Sequence, residues 1–290
     1  MTAGPTAELA IIIVNFNTGD YLERCLASLE RGLGALDVDV LVIDNASGDG
    51  SHKRAIAAHP WVRLIENPFN VYLSPAWNQG IHITTAPHVL LLNPDTEWFA
   101  GTLADYVGVA RAHPRAGIVG PVVRNPDGAM YPSGRPFPGV VDAVGHAFLG
   151  PFRPQNPFTR RYHMDGWDRT TERTVDWVSG CCMLLPRAAL EEVGYLDEEF
   201  PLYSEELDLA TRLRDAGWSV LFTPAVEIVH EIGVSTGRSH RMTVRHSNSV
   251  FRYFRKHRAR GWRRLSLPVA WAALRLRAEI VWLRGKVGRR

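Results

Sequence analysis

Leu90-Leu91-Leu92-Asn93-Pro94-Asp95-Thr96-Glu97 is an apolar run of strand type that breaks off at a proline and presents a carboxylate at once. Open α/β sheets bind their ligands beyond the carboxyl ends of the strands, so a strand that ends in Asn-Pro-Asp delivers a metal ligand to that edge. Upstream, Leu9 to Val14 and Val38 to Ile43 are short apolar runs rich in β-branched residues, and Val62 to Ile65 is a third. Between them, Leu22, Leu26 and Leu29 recur at helical spacing behind Asp20, a candidate cap, and Pro75 to Thr84 reads as a second helix before the His88–Leu92 strand. Strand and helix patterns that alternate in this way predict an α/β fold with a mostly parallel sheet flanked by helices.

Farther along, 120–173 is rich in Pro, Gly and Arg and lacks periodicity, so it is expected to form long loops with short elements. Strand character resumes from Val175 to Leu185; Glu205 to Ala216 reads as a helix stopped by Gly217; Ser219 to Thr223 and Val226 to Val229 read as strands. The charge divides the chain sharply. Residues 238–290 hold 16 Lys and Arg against the single acid Glu279, whereas the remainder holds 17 basic and 29 acidic residues. The expected domains are therefore 1–237, an α/β catalytic domain, and 238–290, a basic helical region. Within the latter, Trp271, Leu274, Ala278 and Trp282 form an apolar stripe interrupted by Arg275, Arg277 and Glu279. Such a helix is expected to lie on an anionic membrane surface; the alternative is a helical hairpin packed on the catalytic domain or on a second subunit, a homodimer. No apolar run approaches the ~18–20 residues that a spanning helix needs. Three cysteines, two of them adjacent, make no disulfide framework and point to a reducing compartment, and Met1–Pro5 lacks the basic start of a signal peptide. A nucleic-acid reading has only the basic tail behind it, with no zinc or base-stacking signature.

Three further segments are expected at the edge that carries Asp95. Asp44 follows the second strand, and with the Asn15-Phe16-Asn17 turn it can form a nucleoside pocket; the Asp-Asn-x-Ser pattern equally makes an Asx turn. His230 ends the Val226–Val229 strand and is either a second metal ligand beside Asp95 or a structural histidine. Mg²⁺ or Mn²⁺ suits a carboxylate site with open positions for phosphate, and Mn²⁺ tolerates imidazole better. Ser204-Glu205-Glu206-Leu207-Asp208 reads as a helix start with Ser204 as cap, or as the source of a general base. Consecutive helical residues point about 100° apart, so Glu205 and Glu206 are not expected to face one substrate together. Asp208 and Arg212 are spaced to pair.

Taken together, IIIVNFN, VIDNASGDGS, LLLNPDTEW, DWVSGCCMLLPR, FPLYSEELDLATRLRDAGW and VHEIGVSTG resemble the family 2 inverting glycosyltransferases of the GT-A fold, in particular their rhamnosyltransferase branch. The stretches GPVVRNPDGAMYPSGRPFPG and HAFLGPFRPQNPFTRRY resemble the members of that branch that serve actinobacterial cell-wall linker assembly. The resemblance implies transfer of L-rhamnose from dTDP-L-rhamnose to an N-acetylglucosamine carried on a polyprenyl diphosphate. A UDP-sugar donor is the alternative. It also implies a cytoplasmic enzyme, peripheral on the inner face of the plasma membrane. By the same resemblance, Glu206 is the catalytic base, and Asp95 and His230 hold the metal. Asn15, Asn17, Asp44, Asn78, Asn93 and Asp95 bind the nucleotide sugar, while Trp177, Gly180 and Glu205 lie on the acceptor side. The chain departs from the family pattern at Tyr72-Leu73-Ser74-Pro75-Ala76-Trp77, where a Gly-Phe-Ala-x-Gly stretch is usual. It also carries Glu rather than Asp at the base position and Asn first in the acidic motif.

Overall fold

A sheet covered on both faces must bury both faces of its central strands, and the first strand, β1 (Leu9–Asn15), is buried at every position. The computed structural model describes residues 7–137, 145, 148–150, 152, 153, 155–231, 239–259 and 261–287. The expected boundary between 237 and 238, the Met1–Pro5 start and part of the segment 138–154 fall outside these residues. Along β1, Ile12 and Val14 join one apolar cluster while Leu9, Ile11 and Ile13 join the other, so the core is two layers separated by the sheet.

The sheet has ten strands. β2 (Val38–Asp44), β3 (Arg63–Glu66) and β4 (His88–Leu92) run parallel to β1 in the order β3-β2-β1-β4. The helices α1 (Tyr21–Gly32), α2 (Ser51–Ala58) and α3 (Leu73–Ile83) connect them. After β4 come β5 (Thr96–Ala100), α4 (Leu103–Ala112) and β6 (Ala116–Arg124), none of which the sequence pattern marked. β7 (Met130–Tyr131), α5 (Pro157–Tyr162) and β8 (Arg173–Val175) are the short elements of the Pro- and Gly-rich stretch. β9 (Cys182–Pro186) enters antiparallel between β4 and β6, followed by α6 (Arg187–Val193) and α7 (Glu205–Asp215). β10 (Ser219–His230) is one strand rather than the two expected. It runs through Pro224 by shifting register between Phe222 and Glu227, and it pairs with β6 and β5.

Register brings the candidate residues to one edge. Asn15 is the pairing partner of Asp44, Leu92 that of Cys182, and His230 that of Thr96. The backbone N–H of Asn93 continues the β4–β9 pairing by donating to the Cys181 carbonyl at 2.9 Å.

Two expected caps do not form. Asp20 makes no capping bond at α1 and lies 3.5 Å from Arg54 instead. Ser204 stands in the left-handed region with φ 65°, which aims its side chain away from the first turn of α7.

Residues beyond 238 form α8 (His240–Tyr253), a π turn over Phe254–Arg258, a 3-10 turn over Gly261–Ser266 and α9 (Leu267–Val287). Among the described residues no helix is long and apolar enough to cross a membrane. α8 belongs to the body of the protein: Tyr253 is in the core and its hydroxyl lies 3.0 Å from that of Thr211. Asp208 is fully buried. It accepts from Arg212 Nε, Lys256 Nζ and His257 Nε2, each at 2.7 Å, so the expected Asp208–Arg212 pair is part of a clamp that ties α7 to the segment after α8. Although burial pulls the other way, His257, Arg212 and Lys256 hold the Asp208 carboxyl down to about 2.

Part of the stripe expected to meet a membrane packs inward, while Trp271 stays exposed. Ala278 is fully buried and the Trp282 ring lies 4.8 Å from His240 of α8, so that face of α9 closes the hairpin.

Removing one partner of a buried ionic cluster strands the others, so Asp208→Ala is expected to lower stability by about 3–5 kcal/mol in urea unfolding at pH 7. The stabilisation by Asp208 is present above the ordinary Asp range and is lost as pH falls toward about 2, so the difference between wild type and variant narrows in acid.

Candidate active site

The loops that follow β1 and β2 are cross-linked to each other. Asn15 is fully buried; its Nδ2 donates to Asp44 Oδ1 at 2.7 Å and to Ser47 Oγ and Ser51 Oγ at 3.1 Å, and its Oδ1 accepts from Thr18 Oγ1 at 2.5 Å. Asp44 Oδ2 accepts from the Ser47 N–H at 2.8 Å, so the Asx turn is formed, and His52 Nδ1 lies 3.3 Å from the other oxygen. Asp44 has 1% of its surface exposed. Asn17, at φ 51°, accepts from the Gly48 N–H through Oδ1 at 2.8 Å and joins the two loops at their rim. Asn78 has its amide bound on both sides to the Leu196 backbone, at 2.9 and 3.1 Å, and to Glu198 at 3.0 Å. It acts as a staple between α3 and the segment before α7.

Asp95 and His230 meet. His230 Nε2 lies 3.2 Å from Asp95 Oδ1, and both residues are buried. Neither Asp95 Oδ1 nor His230 Nδ1 has a hydrogen-bond partner. Burial alone would lower the His230 pKa; the Cys181 sulfur and the Asp95 carboxylate outweigh it and raise the imidazole well above its ordinary range. A carboxylate and an imidazole side by side are a donor set for a divalent cation of the Mg²⁺ or Mn²⁺ type, which would take the place of the imidazole proton between them. Among the described residues no group of three His, Cys, Asp or Glu side chains could hold a metal. Asn93 contributes its backbone here: its carbonyl accepts from Thr96 Oγ1 at 2.7 Å and lies 3.8 Å from Cys25 Sγ. Burial pushes the Cys25 thiol up to about 12.

The acidic pair lies across Gly180. A Cβ at Gly180 would stand 3.5 Å from Glu206 Cβ, 3.8 Å from Glu206 Cδ and 3.8 Å from Glu205 Oε1. Both acids thus border one point, contrary to the 100° argument, because neither Glu has a preceding helical turn beside it and their stems are long enough to converge. The approach is strained: Tyr203 (φ 71°) and Ser204 (φ 65°) are successive non-glycine residues in the left-handed region, a conformation that persists only where surrounding structure imposes it. Burial pushes the Glu205 carboxyl well above the usual range, with the Glu206 charge adding to it. Burial raises Glu206 too, while its own backbone N–H and the Arg135 guanidinium pull it back. Each acid has one oxygen, Oε2, without a hydrogen-bond partner.

Arg135 is the residue that sequence reading missed. Its guanidinium carbon lies 5.1 Å from the Tyr131 ring, 5.4 Å from Tyr162 and 5.1 Å from Trp177, and its Nε donates to the Pro132 carbonyl at 2.6 Å. Trp177 in turn exchanges backbone bonds with Arg135 and donates from Nε1 to the Pro136 carbonyl at 3.0 Å. In the aperiodic stretch 120–173 the one available hint was Arg135 between Gly134 and Pro136.

The departure at Tyr72 has a structural counterpart. Tyr72 stands at φ 71° and ψ −168°, a region that favours glycine, where the related pattern has glycine. Its N–H donates to Asn70 Oδ1 at 2.7 Å, its carbonyl accepts from Asn45 Nδ2 at 3.0 Å, and its phenol accepts from Arg245 Nη2 at 2.9 Å beneath the guanidinium.

Residues 10–194 match the family model described as glycosyl transferase family 2. The chain belongs to that family. It is 36% identical, over 95% of its own length and 93% of the other's, to the N-acetylglucosaminyl-diphospho-decaprenol L-rhamnosyltransferase of Mycobacterium tuberculosis. Among solved structures it resembles a mannosyltransferase from Pyrobaculum calidifontis in complex with GDP-Man and Mn²⁺, at TM-score 0.59 and 18% identity over 97% of this chain and 80% of that one. It also resembles GalNAc-T7 with UDP, GalNAc and Mn²⁺, at TM-score 0.60 and 13% identity over 86% of this chain and 48% of that one. At such identities the two structures establish the fold: an α/β, mostly parallel sheet of the glycosyltransferase GT-A type. The family match ends at 194, so Glu205, Glu206 and His230 lie beyond it.

With Glu206 as the base that the resemblance implies, glycosyl transfer is expected to rise with pH, since a base works only as carboxylate and burial raises this one. Arg135→Met removes a cation that favours the charged form; the rising limb of the kcat/KM profile should move to higher pH, and Arg135→Lys should leave it nearer wild type.

Proposed function

We propose that this family 2 enzyme transfers L-rhamnose from dTDP-L-rhamnose, with inversion, to a polyprenyl-diphosphate-linked N-acetylglucosamine in cell-wall linker assembly. The observation that carries the reading is the meeting of two pairs at one sheet edge, Asp95 with His230 and Glu205 with Glu206, in a chain 36% identical to an enzyme of that name over 95% of its length. The acceptor hydroxyl attacks the anomeric carbon as the bond to the nucleoside diphosphate breaks on the opposite side, and Glu206 takes the hydroxyl proton. Arg135 favours the carboxylate form of Glu206. Glu205 borders the same point, and because burial and mutual repulsion raise the pair, one carboxyl ionises before the other.

Asp95 and His230 would hold a divalent cation, which when bound neutralises charge on the departing diphosphate. Asn15, Asp44 and Asn17 preorganise the nucleoside-side loops, whose backbone groups and rim meet the base, and Trp177 and Gly180 shape the acceptor side.

Purified protein should transfer rhamnose to a short-chain polyprenyl-diphospho-N-acetylglucosamine, and Glu206→Gln should lose at least about 10²-fold in kcat while binding dTDP as wild type does. Near-full activity of that variant would remove Glu206 from the role of base. Because the chain supplies two metal ligands, Mn²⁺ should bind weakly in a calorimeter without nucleotide and at least about tenfold more tightly with dTDP present, since diphosphate oxygens complete the coordination. Equal affinity in both titrations would contradict a shared site.

A further inference from the structure

α9 is apolar on two faces, and one of them is unpartnered. Leu274, Ala278 and Trp282 turn toward α8, whereas Val269, Ala272, Leu276 and Leu283 stay within about 40° of one line along the helix, interrupted by Glu279, which meets His240 of α8. Val269 is 72% exposed, Leu276 57% and Leu283 53%; Leu265, in the 3-10 turn just ahead, is 83% exposed. Trp271, 48% exposed with Arg275 stacked 5.4 Å from its ring, lies about 120° around the helix from that line. Soluble surfaces rarely leave a contiguous apolar stripe of this kind in water.

We propose that the Leu265–Val269–Leu276–Leu283 stripe docks the enzyme on an anionic lipid bilayer. Charge decides between the possible occupants. Residues 238–290 hold 16 Lys and Arg and one acid, and that acid, Glu279, accepts from His240 Nε2 at 2.9 Å. Arg241, Arg264 and Arg275 are exposed on the same hairpin. A second copy of the chain would bring the same positive field against itself, which opposes pairing of the two stripes. An anionic bilayer offers acyl chains to the leucines and headgroups to the cations at once. The docking surface deepens the proposed function, whose acceptor is lipid-linked, yet it rests on the C-terminal hairpin alone, so a wrong donor or acceptor would leave it standing.

The test is co-sedimentation of the full chain with phosphatidylcholine vesicles, with and without phosphatidylglycerol. Wild type should partition onto the anionic vesicles and less onto the neutral ones, and added salt should weaken it. The double variant Val269→Gln, Leu276→Gln should bind anionic vesicles at least about tenfold more weakly. Phe99→Gln, at a 65% exposed residue on β5, should bind as wild type. All are surface changes, so an unaltered thermal midpoint checks the fold. Equal binding of wild type and double variant would overturn the proposal. So would a wild-type dimer that the double variant converts to monomer without loss of vesicle binding.

Discussion

The candidate site depends on one antiparallel strand set into a parallel sheet. β9 separates β4 from β6, and its first residue pairs with the last residue of β4. A chain entering β9 must therefore approach from the same edge at which β1, β2 and β4 leave, and it carries Trp177, Gly180 and Cys181 there. The Asn93-to-Cys181 bond extends that pairing by one residue and fixes the Asn93–Asp95 turn against the loop that carries Gly180. Without the reversed strand, Glu206 would face no wall and Asp95 would project from an open edge.

How much of this the sequence disclosed depended on whether the decisive forces were local. Strands β1, β2 and β4 were legible because apolar β-branched runs ending in polar turns carry their own signal, and Asp95 and His230 were legible as strand-end residues. β5 and β6 were not. Their identity comes from pairing with β10, a partner more than a hundred residues away. The two readings of Asp44 could not be separated from composition, since an Asx turn and a ligand-binding carboxylate use the same residue types; the Ser47 N–H bond to Asp44 Oδ2 closes the turn. Ser204 followed the rule for a cap and failed it, because Tyr203 and Ser204 take left-handed backbone that turns the hydroxyl away. Arg135 was hidden for the opposite reason. Its surroundings are Tyr131, Tyr162 and Trp177, gathered from three separated segments, and no local pattern encodes that box.

Strain and burial concentrate at the cleft. Tyr72, Tyr203 and Ser204 hold backbone angles that non-glycine residues avoid, and each adjoins either the nucleotide-side loops or the acidic pair. Adjacent residues of α8 steady the two tyrosines: Arg245 covers Tyr72, and the His246 ring lies 5.2 Å from that of Tyr203. Two carboxyls placed out of water beside each other also cost stability. That arrangement is expected where a proton must change hands near neutral pH.

The attachment of α8 bears on how the gene can be divided. Composition draws a line at residue 238, and a fragment ending there would keep the family signature. It would also lose Tyr253 from the core, expose Asp208 without Lys256 and His257, and release both tyrosines from their covers. The basic hairpin is thus no detachable tether. A graft of the catalytic part onto another anchor would have to retain residues through His257, and a deletion scan from the carboxyl end should meet its folding limit inside the π turn rather than at the charge boundary.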